Sequence, residues 1–222
     1  MTSIQTDADS ALANRAQTFL DWTRVNGRLL ATGAVVVAVA AAGYWFYMRS
    51  RQIQATNAER ALLTAKQSMT AGNMPLAQKD LQNVYAKYSS TTAGVEAAML
   101  LAQIDYDTGK FQDGISVLEK VIGSSAASGV ESTIRSLEGD GYAQMKKPGE
   151  AGKAYEQAAN STKLETERAF QLAKAARAYT SAGDTAKAHA IWTGLLNDKS
   201  AQSMSAEARV RLGELLAKPA TR

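Results

Sequence analysis

Few residues in this chain are of types that do chemistry. His189 is the only histidine and there are no cysteines, which removes disulfides and thiolate metal sites. The compact acidic pair Asp105 and Asp107 brackets Tyr106. Carboxylates two apart on a helix point different ways, so both are expected to be solvated. His189 follows a small residue in a helical segment and is expected to face solvent. No glycine-rich phosphate loop, nucleophile elbow or HExxH pattern occurs. The sequence therefore reads as a non-enzyme, with no metal, cofactor or small-molecule substrate. A formal charge of +4 without a basic stripe gives nucleic-acid binding no support.

With no reaction centre to position, the elements themselves carry the function. Residues 29–48, LLATGAVVVAVAAAGYWFYM, contain no charge and are followed by Arg49 and Arg51. At 1.5 Å per residue such a helix is about 30 Å long, the thickness of a bilayer's hydrocarbon core. Tyr44, Trp45, Phe46 and Tyr47 stand where an interfacial aromatic belt belongs. The expectation is an uncleaved single-pass anchor. Flanking charges leave its direction nearly tied, with Arg15, Arg24 and Arg28 before it and Arg49, Arg51, Arg60 and Lys66 after it. Residues 1–28 read as a polar tail with a short amphipathic helix from Ser10, carrying Leu12, Ala16, Phe19 and Leu20.

Beyond a connector at 49–57, the chain is rich in Ala, Leu, Gln and Lys and repeats itself. Gly72, Gly109, Lys146 and Gly183 stand 37 residues apart, each in a short turn between two helical segments. Seven residues before each stands a small residue: Ala65, Ala102, Gly139 and Ala176. Five after come Ala77, Gly114, Ala151 and Ala188. Nine after come the large Leu81, Leu118, Tyr155 and Trp192, and twelve after come Val84, Val121, Ala158 and Leu195. Small residues let two antiparallel helices approach, and the large one fills the space toward the next pair. One period further stands Gly213 in SAEARVRLGELLA, a lone helix whose Glu207, Arg209, Arg211, Glu214 and Lys218 suit a polar C-terminal cap.

These positions resemble the tetratricopeptide repeat, most closely in Gly139, Tyr142, Ala151, Tyr155 and Ala158 of the third copy and Ala176, Tyr179, Gly183, Ala188 and Trp192 of the fourth. The third copy departs with Lys146 in the turn, and the period exceeds the family's usual length. The fold class implied is all-α: a transmembrane helix at 29–48, a tetratricopeptide-repeat-like solenoid of four helix hairpins and a capping helix over 58–218, and a tail at 219–222. In such arrays the first helices line the concave face. By that analogy the protein-binding candidates are Leu62, Lys66, Met69, Met99, Gln103, Tyr106, Asp107, Asp140, Phe170 and Arg177. Met69, Met99, Tyr106 and Phe170 suit adaptable binding of apolar segments, or else packing between repeats.

The polar tail, AQTFLDWTRVNGRLL running into the anchor, the exit YWFYMRSRQ and the four-copy array together resemble the YfgM-like family of membrane-anchored tetratricopeptide proteins, an ancillary subunit of the SecYEG translocon. That resemblance implies a bacterial inner-membrane protein with a cytoplasmic N-terminus and a periplasmic repeat domain. Its implied partners are translocon subunits and a periplasmic chaperone, and its implied role is a scaffold for folding exported proteins. The alternative is a structural or assembly subunit stabilising another inner-membrane complex.

Overall fold

The computed structural model describes residue 22 and residues 25–217. The amphipathic helix expected from Ser10, together with Lys218, lies outside the described residues. Nine α-helices and one 3-10 turn make up the described chain, and no strand occurs among these residues. Helix α1 is Gly27–Thr70, followed by α2 (Met74–Tyr88), α3 (Thr92–Asp107), α4 (Phe111–Val121), α5 (Glu131–Gln144), α6 (Pro148–Asn160), α7 (Glu165–Ser181), α8 (Thr185–Asn197), the 3-10 turn Lys199–Ala201 and α9 (Gln202–Ala217). The expected connector at 49–57 is helical and lies within α1. The chain divides into two compact units, Met1–Ile53 and Gln54–Arg222.

In the first unit, α1 is long and apolar enough to cross a membrane, and none of its apolar stretch is buried within the protein. Val35, Val36, Val37 and Val39 are exposed, as is the whole run from Tyr44 to Met48. The Arg51 guanidinium lies 5.7 Å from the centre of the Tyr47 ring, closing the aromatic exit with a cation–π contact.

The second unit is the array of helix hairpins. Each copy ends its first helix at the residue singled out by the 37-residue period. Gly72, Gly109, Lys146 and Gly183 all have left-handed backbones, with φ of 76°, 78°, 57° and 77°. All four turns share one pair of hydrogen bonds. The marker N–H reaches back three residues, to Met69, Tyr106, Ala143 and Thr180. The next N–H reaches back five, to Ser68, Asp105, Tyr142 and Tyr179. This double closure satisfies carbonyls that the helix end leaves open. Side-chain caps then start two of the helices that follow these turns, Asn73 Oδ1 accepting from the Leu76 N–H and Asp184 Oδ1 from Lys187, and Thr91 Oγ1 caps the first helix α3 by accepting from Gly94.

Lys146 is the one non-glycine in this conformation among the described residues. A left-handed L-residue costs roughly 1–2 kcal/mol, and glycine's extra unfolded-state entropy offsets roughly 0.5–1 of that. Lys146→Gly is therefore expected to stabilise the array by about 0.5–1 kcal/mol. The measurement is a thermal melt, which should shift upward by roughly 2 °C.

The small and large positions form the core. Ala65, Ala102, Ala176, Ala77, Ala151 and Ala188 are fully buried, as are Leu81, Leu118 and Trp192. At Gly139 a Cβ would lie 2.5 Å from Cε1 of Tyr155, so the ring of the second helix occupies the space any side chain would need. Gly139→Leu must displace that ring, and the expected loss is about 3 kcal/mol, at the upper end for overpacking. An unchanged melting curve would show that the third hairpin is not closed this way.

Candidate protein-interaction face

The first helices of the copies are the second half of α1, then α3, α5 and α7, with α9 as a fifth. Successive first helices touch at their backbones between α3 and α5 and again between α7 and α9. Ion pairs link α1 to α3 and α5 to α7. First helices of neighbouring copies thus meet directly along this face.

The sequence candidates divide sharply on this face. Leu62 and Tyr106 are 5% and 6% exposed, so they are core residues, and the expectation that they face a groove is corrected. Leu62 packs among Ala58, Ala65 and Leu81. The Tyr106 ring fills the space left by Gly114 and Gly141, and its hydroxyl donates to the Leu137 carbonyl at 3.2 Å. Burial, with Asp140 and Glu138 nearby, drives the Tyr106 pKa upward, so it stays a neutral donor. Met69 and Met99 are half-buried against the first and second core clusters.

The charged candidates are mostly spoken for. Lys66 Nζ meets Glu96 Oε1 at 2.5 Å, and Arg177 grips both carboxylate oxygens of Glu207 through Nε and Nη2, at 2.7 and 2.5 Å. Both pairs span 30 residues, seven short of the period, because each joins a residue one past the small position at the end of one first helix to a residue seven positions earlier in the register of the next. Asp140 accepts from Lys174 Nζ at 2.7 Å and from the Tyr155 hydroxyl at 2.6 Å. Lys174 also donates to Ser136 Oγ and sits 4.4 Å from the centre of the Tyr155 ring. Sequence reasoning missed Glu96, Lys174 and Glu207 as partners. The two 30-residue pairs were legible as an acidic residue recurring 30 positions after a basic one.

Gln103 and Asp107 are exposed and make no hydrogen bond or ion pair among the described residues. Phe170 is 48% exposed. Gln103 and Asp107 on α3 and Phe170 on α7 thus stay open, while the charges of Lys66, Asp140 and Arg177 are neutralised by pairs between copies.

Two further expectations meet the structure here. His189 is exposed on α8. Asp107 is exposed, but Asp105 is 6% exposed and accepts from Gln78 Nε2 at 3.0 Å, which corrects the reading of both carboxylates as solvated. It faces α2 through that hydrogen bond, and burial raises its pKa. Asp105 is therefore a structural carboxylate. Among the described residues no group of acidic, histidine or cysteine side chains could hold a metal.

Glu207 has its pKa lowered, chiefly by the hydrogen bonds from Arg177. A depressed carboxylate stabilises fully above its unfolded pKa and loses that contribution as pH falls through its folded value. The difference in melting temperature between the wild-type protein and Glu207→Gln is therefore expected to shrink in acid, below the ordinary carboxylate range. A difference that stays constant with pH would show that the Arg177 pair does not hold α9.

The model of the tetratricopeptide repeat-like domain family matches residues 21–136 and 58–174. Among solved structures, the chain is similar to the nearly identical TPR-like repeats of a putative kinesin light chain from Podosopora anserina. The match has a TM-score of 0.52 and 19% identity, and covers 71% of this chain and 90% of that one. The Q17M form of that protein matches equally well. At this identity the likeness concerns the fold. No curated protein matches the sequence. Turn geometry, hairpin packing and the family match agree: this chain belongs to the tetratricopeptide repeat-like domain family.

Proposed function

We propose that this protein is a single-pass scaffold of the bacterial inner membrane, anchored by residues 29–48 with its N-terminus cytoplasmic and its repeat domain, residues 58–218, periplasmic. In this reading it is an ancillary subunit at the Sec translocon and links the channel to periplasmic chaperones. The observation that carries the scaffold role is the set of open residues on the first helices: Gln103 and Asp107 on α3 and Phe170 on α7, with the charges of Lys66, Asp140 and Arg177 taken up by pairs between copies. Met69 and Met99 are half-buried on the first two of these helices. A half-exposed aromatic suits a partner segment with an apolar anchor. The unburied apolar stretch of α1 supports the anchor, and the layout shared with the YfgM-like family supports the translocon.

Purification of the full chain from detergent-solubilised membranes should recover translocon and chaperone components. Phe170→Asp should reduce that recovery several-fold without changing the melting temperature. Recovery of neither component, or near-stoichiometric copurification with a different complex, would overturn the assignment. Protease protection in sealed vesicles of known sidedness tests the orientation, and a cytoplasmic repeat domain would eliminate it.

A further inference from the structure

Helix α9 repeats the register of a first helix once more, but no described second helix covers it. In the third copy Gly139, at the eighth position counted from Ser132, is closed by Tyr155 of the copy's own second helix, and in every complete copy the first and eighth positions are covered. Ala58, Val95, Ser132 and Ala169 at the first position are all buried, as are Ala65, Ala102, Gly139 and Ala176 at the eighth. One period on, the equivalents are Ala206 and Gly213, both exposed. Nothing lies within 4 Å of where a Gly213 Cβ would be, whereas at Gly139 that space holds the Tyr155 ring, 2.5 Å away.

The rest of the face is open in the same way. Val210 is 60% exposed although it repeats the position of Leu62 and Ala173, which are 5% and 0% exposed. Leu216, one turn beyond Gly213, is 76% exposed. The expected polar outer face of the cap is therefore interrupted by an apolar strip. The opposite side of α9 is occupied: Ala208 is buried, and Met204, Leu212 and Leu215 pack against the fourth copy.

A polar group points to the same occupant. Arg209 stands two periods after Arg135, which donates from Nη1 to Gln157 Oε1 at 2.8 Å on the second helix of its copy. Arg209 is exposed and has no such partner among the described residues.

We propose that this face of α9 receives an amphipathic helix from another protein, completing a fifth hairpin in trans. The covered copies define what that helix must carry. A small residue meets the first helix, a large apolar or aromatic one stands four later over Gly213, and Gln or Glu two further on meets Arg209. Ala151, Tyr155 and Gln157 of α6 show this pattern against Gly139 and Arg135. The inference deepens the scaffold reading with a second docking surface. Variants of Phe170 test the groove and variants of α9 test this face, so either can fail alone.

The probe is a synthetic peptide of residues 147–161, held helical by a lactam on its exposed side, added to the full chain in detergent. Saturable binding is expected, weakened at least tenfold by Gly213→Leu and lost when Tyr155 in the peptide is replaced by Ser. Gly213→Leu should fold normally, because the space around Gly213 is open and leucine favours the helix. No binding by the wild-type chain, or equal binding by Gly213→Leu, would overturn the proposal. So would efficient disulfide crosslinking between two Ala206→Cys chains in native membranes, which would assign the face to a second copy.

Discussion

Trp192→Ala lowers the stability of the repeat domain by about 3–5 kcal/mol, the expected loss for emptying a fully buried aromatic site. Trp192 is 0% exposed and heads the fully buried side chains by volume. It belongs to the cluster that joins Ala173, Ala176 and Tyr179 of α7 to Ala201 and Ala208 at the C-terminal end. Its removal undermines both the fourth hairpin and the seat of α9. A thermal melt of the full chain in detergent measures the effect, expected as a drop of roughly 6–20 °C. Trp192→Phe separates volume from polarity. The indole N–H is buried without an acceptor, so phenylalanine relieves a desolvated donor while leaving part of the space empty. Its expected loss is below about 1.5 kcal/mol. Similar losses for the two variants would show that this indole does not hold the fourth hairpin to α9.

Val37→Arg removes the protein from the membrane-integrated fraction. The apolar run carries a drive of roughly 2–4 kcal/mol on an insertion scale, and an arginine at its centre costs roughly 2.5–3.5 kcal/mol. The two nearly cancel. No acidic residue lies within 29–48 to pair with the new charge, and Val37 is 67% exposed among the described residues. Alkaline carbonate extraction of membranes is the readout, with Val37→Leu as the control that should remain in the pellet. If Val37→Arg stayed there too, the stretch would not be a marginal single anchor.

Much of this molecule is legible in its sequence because a repeat states its own register several times. The four turns follow from one spacing, and Lys146 adopts the left-handed backbone of its three glycine counterparts because the hydrogen bonds on both sides require it. The small and large positions predicted the buried hairpin contacts for the same reason. The binding candidates were less legible. A register position says which way a side chain leaves its own helix, but not whether the next copy stands close enough to cover it. Tyr106 was thus left open between groove and inter-repeat packing and is core, since Gly114 and Gly141 open room for its ring. Asp105 was read as solvated and proved to be buried, since Gln78 reaches it from another helix.

Sequence alone determined the all-helical class, the four hairpins, the turn residues and a helix of membrane-spanning length, because local spacing and composition suffice to specify each. Only the tertiary structure decided which charges are used up and which surfaces stay open. Lys66, Asp140 and Arg177 are satisfied by partners in other copies, and among the described residues nothing covers α9 at Gly213, whereas its four equivalents are buried. Occupancy of this kind is a property of neighbours in space, and spacing along the chain records it only where the repeat makes the neighbour periodic.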